Sequence, residues 1–132
     1  MNPYYTTVSD RANHRCEYCQ APELGFNFPF EVDHNIPISQ QGPDNASNLA
    51  LSCRSCNLRK GSRTEIVKKS GEKIRFYNPR KDVWADHFVP NVDSGQIAGI
   101  TPIGKVTVDQ FEINSPIQVT ARQLWMQLGL FP

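Results

Sequence analysis

The segment CEYCQAPELGFNFPFEVDHNIPISQQGPDNASNLALSCRSCNLRKG, residues 16–61, decides the fold because a Cys-x-x-Cys pair stands at each of its ends. Cys16 pairs with Cys19 and Cys53 with Cys56, which accounts for all 4 cysteines of the chain. Four thiolates at this spacing suit a tetrahedral structural Zn²⁺ and leave no ligand position for a substrate. We therefore predict a zinc ion that stabilises the fold, in preference to disulfides or to four unrelated buried thiols.

The stretch between the two pairs holds the residue types that phosphodiester hydrolysis requires: a base for water, ligands for a cation and a group that orients the base. His34 is the candidate base because the ordinary pKa of histidine lies near neutrality. Asp33 and Asn57 offer oxygen ligands for Mg²⁺ or Mn²⁺. Neighbours on a regular strand point to opposite faces, so the strand has to twist or end before Pro37 for Asp33 and His34 to share a site.

The chain outside these residues predicts short elements and an α+β fold class. Turn residues and apolar periodicity indicate where each element begins and ends. The predicted elements are helix 6–14, strand 28–34, strand 48–51, helix 57–69, strand 73–77, a hairpin of 87–89 with 96–100, helix 101–114 (with a strand as the alternative) and helix 115–128. The expected architecture is a zinc-bound ββα core over residues 1–71 and a C-terminal extension of hairpin and helices, residues 72–132, packed on it as one unit. We interpret the apolar stripe of the last helix as core packing.

Basic residues are concentrated in one part of the chain although the overall net charge is only +1. The window 54–81 contains 10 of the 14 lysines and arginines and 2 acidic residues. Such segregation is typical of a phosphate-binding face, and a solvated basic surface is the alternative. The residues predicted to contact phosphate, around the start of the helix, are Arg54, Arg59, Lys60 and Arg63.

The order Cys-x-x-Cys, Asp-His, Asn-Leu, Cys-x-x-Cys-Asn, Lys-Gly over residues 16–61 resembles the HNH family of ββα-metal endonucleases, of the small bacterial and phage type. The resemblance implies that His34 activates water and that Asp33 and Asn57 hold one divalent ion. It also implies that Asn48 stabilises the loop and so orients His34. Many relatives have histidine where this chain has Asn57, which bears on the choice of catalytic metal.

These observations predict a metal-dependent endonuclease acting on nucleic acid, most simply DNA. The alternatives are a non-catalytic zinc-ribbon module that binds nucleic acid and a nuclease subunit of a larger complex. His14 and His87 lack the Asp-His frame, and we interpret them as a helix-ending and a packing residue rather than as zinc or phosphate ligands. The N-terminus has no basic start followed by an apolar run, so we expect a cytoplasmic protein without a membrane partner.

Overall fold

The computed structural model describes residues 2–132 and shows a mixture of helices and small antiparallel strand pairs, which confirms the α+β class. The elements are α1 (Tyr5–Arg11), β1 (Glu31–His34), β2 (Leu49–Ser52), α2 (Arg54–Lys60), β3 (Glu65–Val67), β4 (Lys73–Arg75), α3 (Trp84–His87), β5 (Phe88–Pro90), β6 (Ile97–Gly99), α4 (Pro102–Gln110) and α5 (Pro116–Gln127). No helix within residues 2–132 has the length and apolar character needed to cross a bilayer.

The first strand pair brings the middle of residues 16–61 together. β1 and β2 are antiparallel, with Asp33 opposite Ala50 and His34 opposite Leu49. Every residue of β2 is buried, whereas in β1 only Asp33 is. A strand covered on both faces needs apolar or small residues throughout, as Leu-Ala-Leu-Ser provides. Asp33 therefore lies on β1, the strand of the pair that remains partly accessible to solvent.

Helix α2 follows β2 at once and is shorter than predicted. It begins at Arg54, because the Cys53 sulfur accepts the backbone N–H of Cys56 and caps the first turn. It ends at Lys60, because Gly61 adopts a φ of 57°. The prediction of one helix over 57–69 is thus wrong: its second half forms β3, in which Ile66 pairs with Ile74.

The helices of the C-terminal half begin at local signals that are visible in the sequence. Thr101 caps α4 through its hydroxyl, which accepts the N–H of Gly104, and Pro102 stands in the first turn. The helical interpretation of residues 101–114 is therefore confirmed over Pro102–Gln110, and the last helix is confirmed over Pro116–Gln127. β5 and β6 form an antiparallel pair in which Val89 lies opposite Ala98.

An aromatic cluster joins the two halves of the chain. The ring of Phe111 packs edge-on against Tyr18 at 5.3 Å and against Phe76 at 5.2 Å between centroids. Trp84 donates its indole N–H to the carbonyl of Tyr18 at 2.9 Å. Glu17 forms an ion pair with Arg80 and also accepts the N–H of Leu51 at 2.8 Å. The two residues between Cys16 and Cys19 are thus held in place by contacts with the part of the chain that follows α2.

The apolar residues of α5 are not all buried, contrary to the prediction from the sequence. Trp125 is buried and Ala121 half-buried, but Ile117, Leu124 and Leu128 are exposed. The interpretation of the whole stripe as core packing is therefore wrong. The helix is instead anchored by Arg122, which is fully buried.

Arg122 connects α5 to two loops without using a carboxylate. Its guanidinium donates to the carbonyl of Gly95 at 2.6 Å and to that of Ile113 at 3.0 Å, and it lies 5.7 Å from the ring centre of Phe131. Burial lowers the pKa of Arg122. A buried cation with two carbonyl partners contributes to stability mainly because its loss would leave both carbonyls unpaired.

We expect Arg122→Ala to lower the free energy of unfolding by about 3 kcal/mol, since two charge-assisted hydrogen bonds and a packed side chain are lost. Urea denaturation followed by circular dichroism measures this. Gln127→Ala, on the exposed side of the same helix, is the control and should change stability by less than about 0.5 kcal/mol. Equal midpoints for the two variants would contradict the anchoring role.

Candidate functional site

The two cysteine pairs converge on one buried point. All four sulfur atoms lie within 4.8 Å of one another, and Cys19 and Cys53 are 3.8 Å apart. The thiols are free and the four residues are buried. One pair stands in the turn after α1, and the other spans the start of α2. The junction between β2 and α2 is therefore held against the turn at residues 16–19.

This geometry fits a tetrahedral ion. Zinc–sulfur bonds of about 2.3 Å place the sulfurs of a Zn(Cys)₄ site about 3.8 Å apart, which is the separation of Cys19 and Cys53. A disulfide would need a separation of about 2.05 Å. Within residues 2–132 this is the one group of three or more His, Cys, Asp or Glu side chains whose donor atoms are close enough to share an ion. The cluster is compatible with structural zinc.

Asp33 is buried, with 7% of its surface exposed, and its carboxylate has two side-chain partners within the protein. The Tyr18 hydroxyl donates to it at 2.6 Å, and the Lys60 ammonium lies 3.2 Å away. Burial raises the pKa of Asp33, and the nearby charge of Lys60 and the hydrogen bond from Tyr18 oppose this rise. Burial and the adjacent Asp33 raise the pKa of Tyr18 well above its usual range, so Tyr18 is a donor at neutral pH.

Lys60 occupies a position that the sequence did not predict for it. It is only 2% exposed, and its ammonium also donates to the carbonyl of His34 at 2.9 Å. A cation held inside by Asp33 and a backbone carbonyl does not reach a phosphate at the surface. The predicted phosphate contact of Lys60 is thus at odds with the structure, which makes Lys60 the counter-charge of Asp33 instead.

The other three predicted phosphate contacts are exposed but already paired. Arg54 contacts Glu31 at 3.0 Å, and Arg59 contacts Glu112 at 2.6 Å. Arg63 donates to the side chain of Gln110 at 2.7 Å. Exposed pairs of this kind are worth little and exchange readily, so they leave the arginines accessible to a competing anion.

His34 lies on the rim of a surface cleft of about 320 Å³. Its Nε2 is 2.9 Å from a carboxylate oxygen of Asp44, in the loop between β1 and β2. Asp33 and Asn57 line the same cleft, together with Gly61 and other residues of the loop and of the α2 end. Asp33 and His34 thus border one space although they are neighbours in β1, and the strand ends at His34.

Asn57 and Asn48 have different surroundings. The side-chain amide N–H of Asn57 donates to Glu31. The side-chain oxygen of Asn57 has no hydrogen bond within the described residues. Asn48 lies behind the cleft and bridges the loop: its amide group accepts the N–H of Ile36 at 3.0 Å and donates to the carbonyls of Ile36 and Pro43, both at 2.9 Å. Asn48 therefore fixes the backbone on both sides of the loop that carries Asp44.

Gly42 explains why this loop closes so tightly. A Cβ atom at this position would lie 1.8 Å from the carbonyl oxygen of Ile36 and 2.9 Å from the amide nitrogen of Asn48. Only glycine permits that approach. Reasoning from the sequence missed Asp44, Tyr18 and Glu31 as parts of the site, because nothing in their local spacing connects them to His34, Asp33 or Asn57.

The segment that builds these features matches a known family. A family model described as HNH endonuclease matches residues 16–63, which include both cysteine pairs, β1, β2 and α2. The resemblance seen in the sequence is confirmed by this match and by the four-cysteine cluster, so this segment is of the HNH endonuclease family. No curated protein and no solved structure matches the chain. The family match indicates a nuclease, and hence a nucleic-acid substrate.

We expect Lys60→Met to lower the free energy of unfolding by about 3 kcal/mol, because it leaves the buried Asp33 carboxylate without its cation. Arg59→Met is the matched control, since it removes an ion pair that is shorter, at 2.6 Å against 3.2 Å, but exposed, and it should cost less than about 1 kcal/mol. Urea denaturation of both variants measures the difference. If Arg59→Met proves as damaging as Lys60→Met, the buried pair has no special weight.

Proposed function

We propose that the protein is a divalent-metal-dependent endonuclease that hydrolyses phosphodiester bonds of DNA, with His34 as the general base. The observation that carries the proposal is the cleft at which His34, Asp33 and Asn57 meet, in a segment that matches the HNH endonuclease family. Each side chain has the chemistry that its role requires: a titratable imidazole, a carboxylate and an amide oxygen.

His34 is oriented by Asp44. The Asp44 carboxylate accepts the Nε2–H of His34, which leaves Nδ1 to take a proton from water. This tautomer is inferred from the hydrogen-bond partner. Water deprotonated in this way attacks phosphorus, and the bond to the 3′ oxygen breaks. The products carry a 5′-phosphate and a 3′-hydroxyl, as the family resemblance implies.

Asp33 and Asn57 are the residues that would hold Mg²⁺ or Mn²⁺. A carboxylate has about four acceptor positions, so the contacts from Tyr18 and Lys60 leave Asp33 capacity for an ion. The free carbonyl oxygen of Asn57 adds a neutral ligand. When bound, such an ion supplies positive charge to the phosphate oxygens and to the leaving oxygen. The charge of Lys60 opposes the rise that burial causes in the pKa of Asp33, and so favours the ionised form that binds a metal ion.

The four cysteines would hold structural Zn²⁺ and make residues 1–71 a zinc-bound ββα core. Residues 72–132 would be an extension packed on that core, which the contact of Phe111 with Tyr18 supports. In this arrangement Cys56 precedes Asn57 directly, so one ion would position the residue that helps to bind another. Arg54, Arg59 and Arg63 would contact phosphates by exchanging their present partners.

Two other functions use the same fold. A zinc-ribbon module would bind nucleic acid through the basic window without cutting it, and a nuclease subunit would cut only within a larger assembly. The first has no use for a histidine oriented by a carboxylate beside an Asp and an Asn. The second predicts bound but uncut DNA for the isolated chain.

We expect His34→Ala to abolish the metal-dependent conversion of supercoiled plasmid into nicked or linear forms, with a loss of at least about 10²-fold, while DNA binding persists. Asp44→Asn, which weakens the orienting contact, should lower the rate by about tenfold. Gel electrophoresis with Mg²⁺ or Mn²⁺ measures both. His14→Ala, a histidine outside the cleft, is the control. Cleavage by His34→Ala at the wild-type rate would remove His34 from the mechanism.

We expect Cys53→Ser to lose bound zinc and the cooperative thermal transition, because structural zinc binding is itself folding free energy. Ser55→Ala, between the same two cysteines, should retain one zinc per chain and a normal melt. Elemental analysis and circular dichroism measure the two quantities. A cooperative melt of the zinc-free wild-type protein would show that the cluster is dispensable for folding.

A further inference from the structure

A second cavity, of about 270 Å³, is connected to the cleft through side chains that contact Asp33. Tyr18 and Lys60 line it, and both contact the Asp33 carboxylate. Its outer part comes from β4 and the turn that follows, which lie outside the segment of the family match. The Asp33, Tyr18 and Lys60 contacts therefore form a wall between the cleft and this cavity.

Asn35 lines the cavity with an unpaired donor. The residue is 5% exposed, and its side-chain oxygen shares the single Tyr18 hydroxyl hydrogen with Asp33, at the longer distance of 3.2 Å. Its side-chain nitrogen is buried and has no hydrogen-bond partner within residues 2–132. A buried amide N–H without a partner is costly, and an acceptor atom in the cavity would satisfy it.

The charges around the cavity favour an anion. Lys60, Arg75 and Lys81 line it and no acidic residue does, but the charge of Lys60 is already balanced by Asp33. Arg75 is held by Asp82 at 2.7 and 2.8 Å, and this contact keeps the pKa of Asp82 below its usual range. Lys81 is exposed and forms no ion pair in the described part of the chain, so its charge is uncompensated. The lining thus combines uncompensated positive charge with an unused donor.

We propose that this cavity is a phosphate subsite, which binds a backbone phosphate of the nucleic acid beside the phosphate that is cut. The proposal rests on the proposed nuclease function, because the wall shared with the cleft is what relates the two phosphates. Asn35 donates to a phosphate oxygen, and Lys81 supplies the charge. A strand held at both points places its scissile bond against His34 in a fixed register.

The first test measures DNA affinity in the His34→Ala background, in which the probe stays intact. Fluorescence anisotropy with a short labelled duplex gives Kd over a series of salt concentrations. Lys81→Gln should raise Kd about fivefold and reduce the slope of log K against log salt by about one. Lys105→Gln removes another exposed lysine that has no ion pair within residues 2–132, and it should leave both quantities unchanged. Equal effects of the two variants would overturn the proposal.

The second test uses inorganic phosphate and NMR of the ¹⁵N-labelled protein. The side-chain amide signals of Asn35 should shift on titration, and Asn35→Asp, which replaces the donor with a negative acceptor, should abolish phosphate binding. Unshifted Asn35 signals at saturating phosphate would overturn the subsite. Plasmid cleavage by the wild-type protein is scored separately. Cleavage without these effects refutes the subsite alone, and the effects without cleavage support a phosphate site but contradict cleavage by the isolated chain.

Discussion

The convergence of four buried thiols is the constraint on which the rest of the structure depends. Two Cys-x-x-Cys turns that are distant in sequence are brought within 4.8 Å, and the second turn is also the start of α2. The position of Asn57 relative to β1 follows from that start. A chain of 132 residues buries only a modest apolar core. The bonds to one metal ion, once it is bound, would supply folding free energy that such a core lacks.

A second constraint is electrostatic. Asp33 would be unfavourable as an ionised group in the interior, and the structure offsets this with a cation and a hydroxyl donor from two different segments. The same contacts separate the cleft from the second cavity. One buried ion pair therefore serves stability and, in the function that we propose, keeps a carboxylate available to a divalent ion.

The C-terminal half contributes to the site by contact rather than by chemistry. Phe111 packs on Tyr18, and Trp84 donates to the backbone of the same residue, so the hydroxyl that reaches Asp33 is held in place from outside the family segment. Arg75 and Lys81 extend the positive surface beyond α2. In the proposed function, residues outside the family segment 16–63 can therefore influence which substrate is bound.

The sequence by itself determined the cysteine pairs, the three side chains that meet at the cleft (Asp33, His34 and Asn57), the β1 and β2 strands and two C-terminal helices that each begin at a proline. These follow from local chemistry: ligand spacing, turn residues and capping signals act over a few positions. Only the tertiary structure decided that Lys60 is buried against Asp33, that Asp44 orients His34 and that α5 leaves apolar residues exposed. Each of these depends on which segments meet across the core, and no short-range pattern encodes that choice.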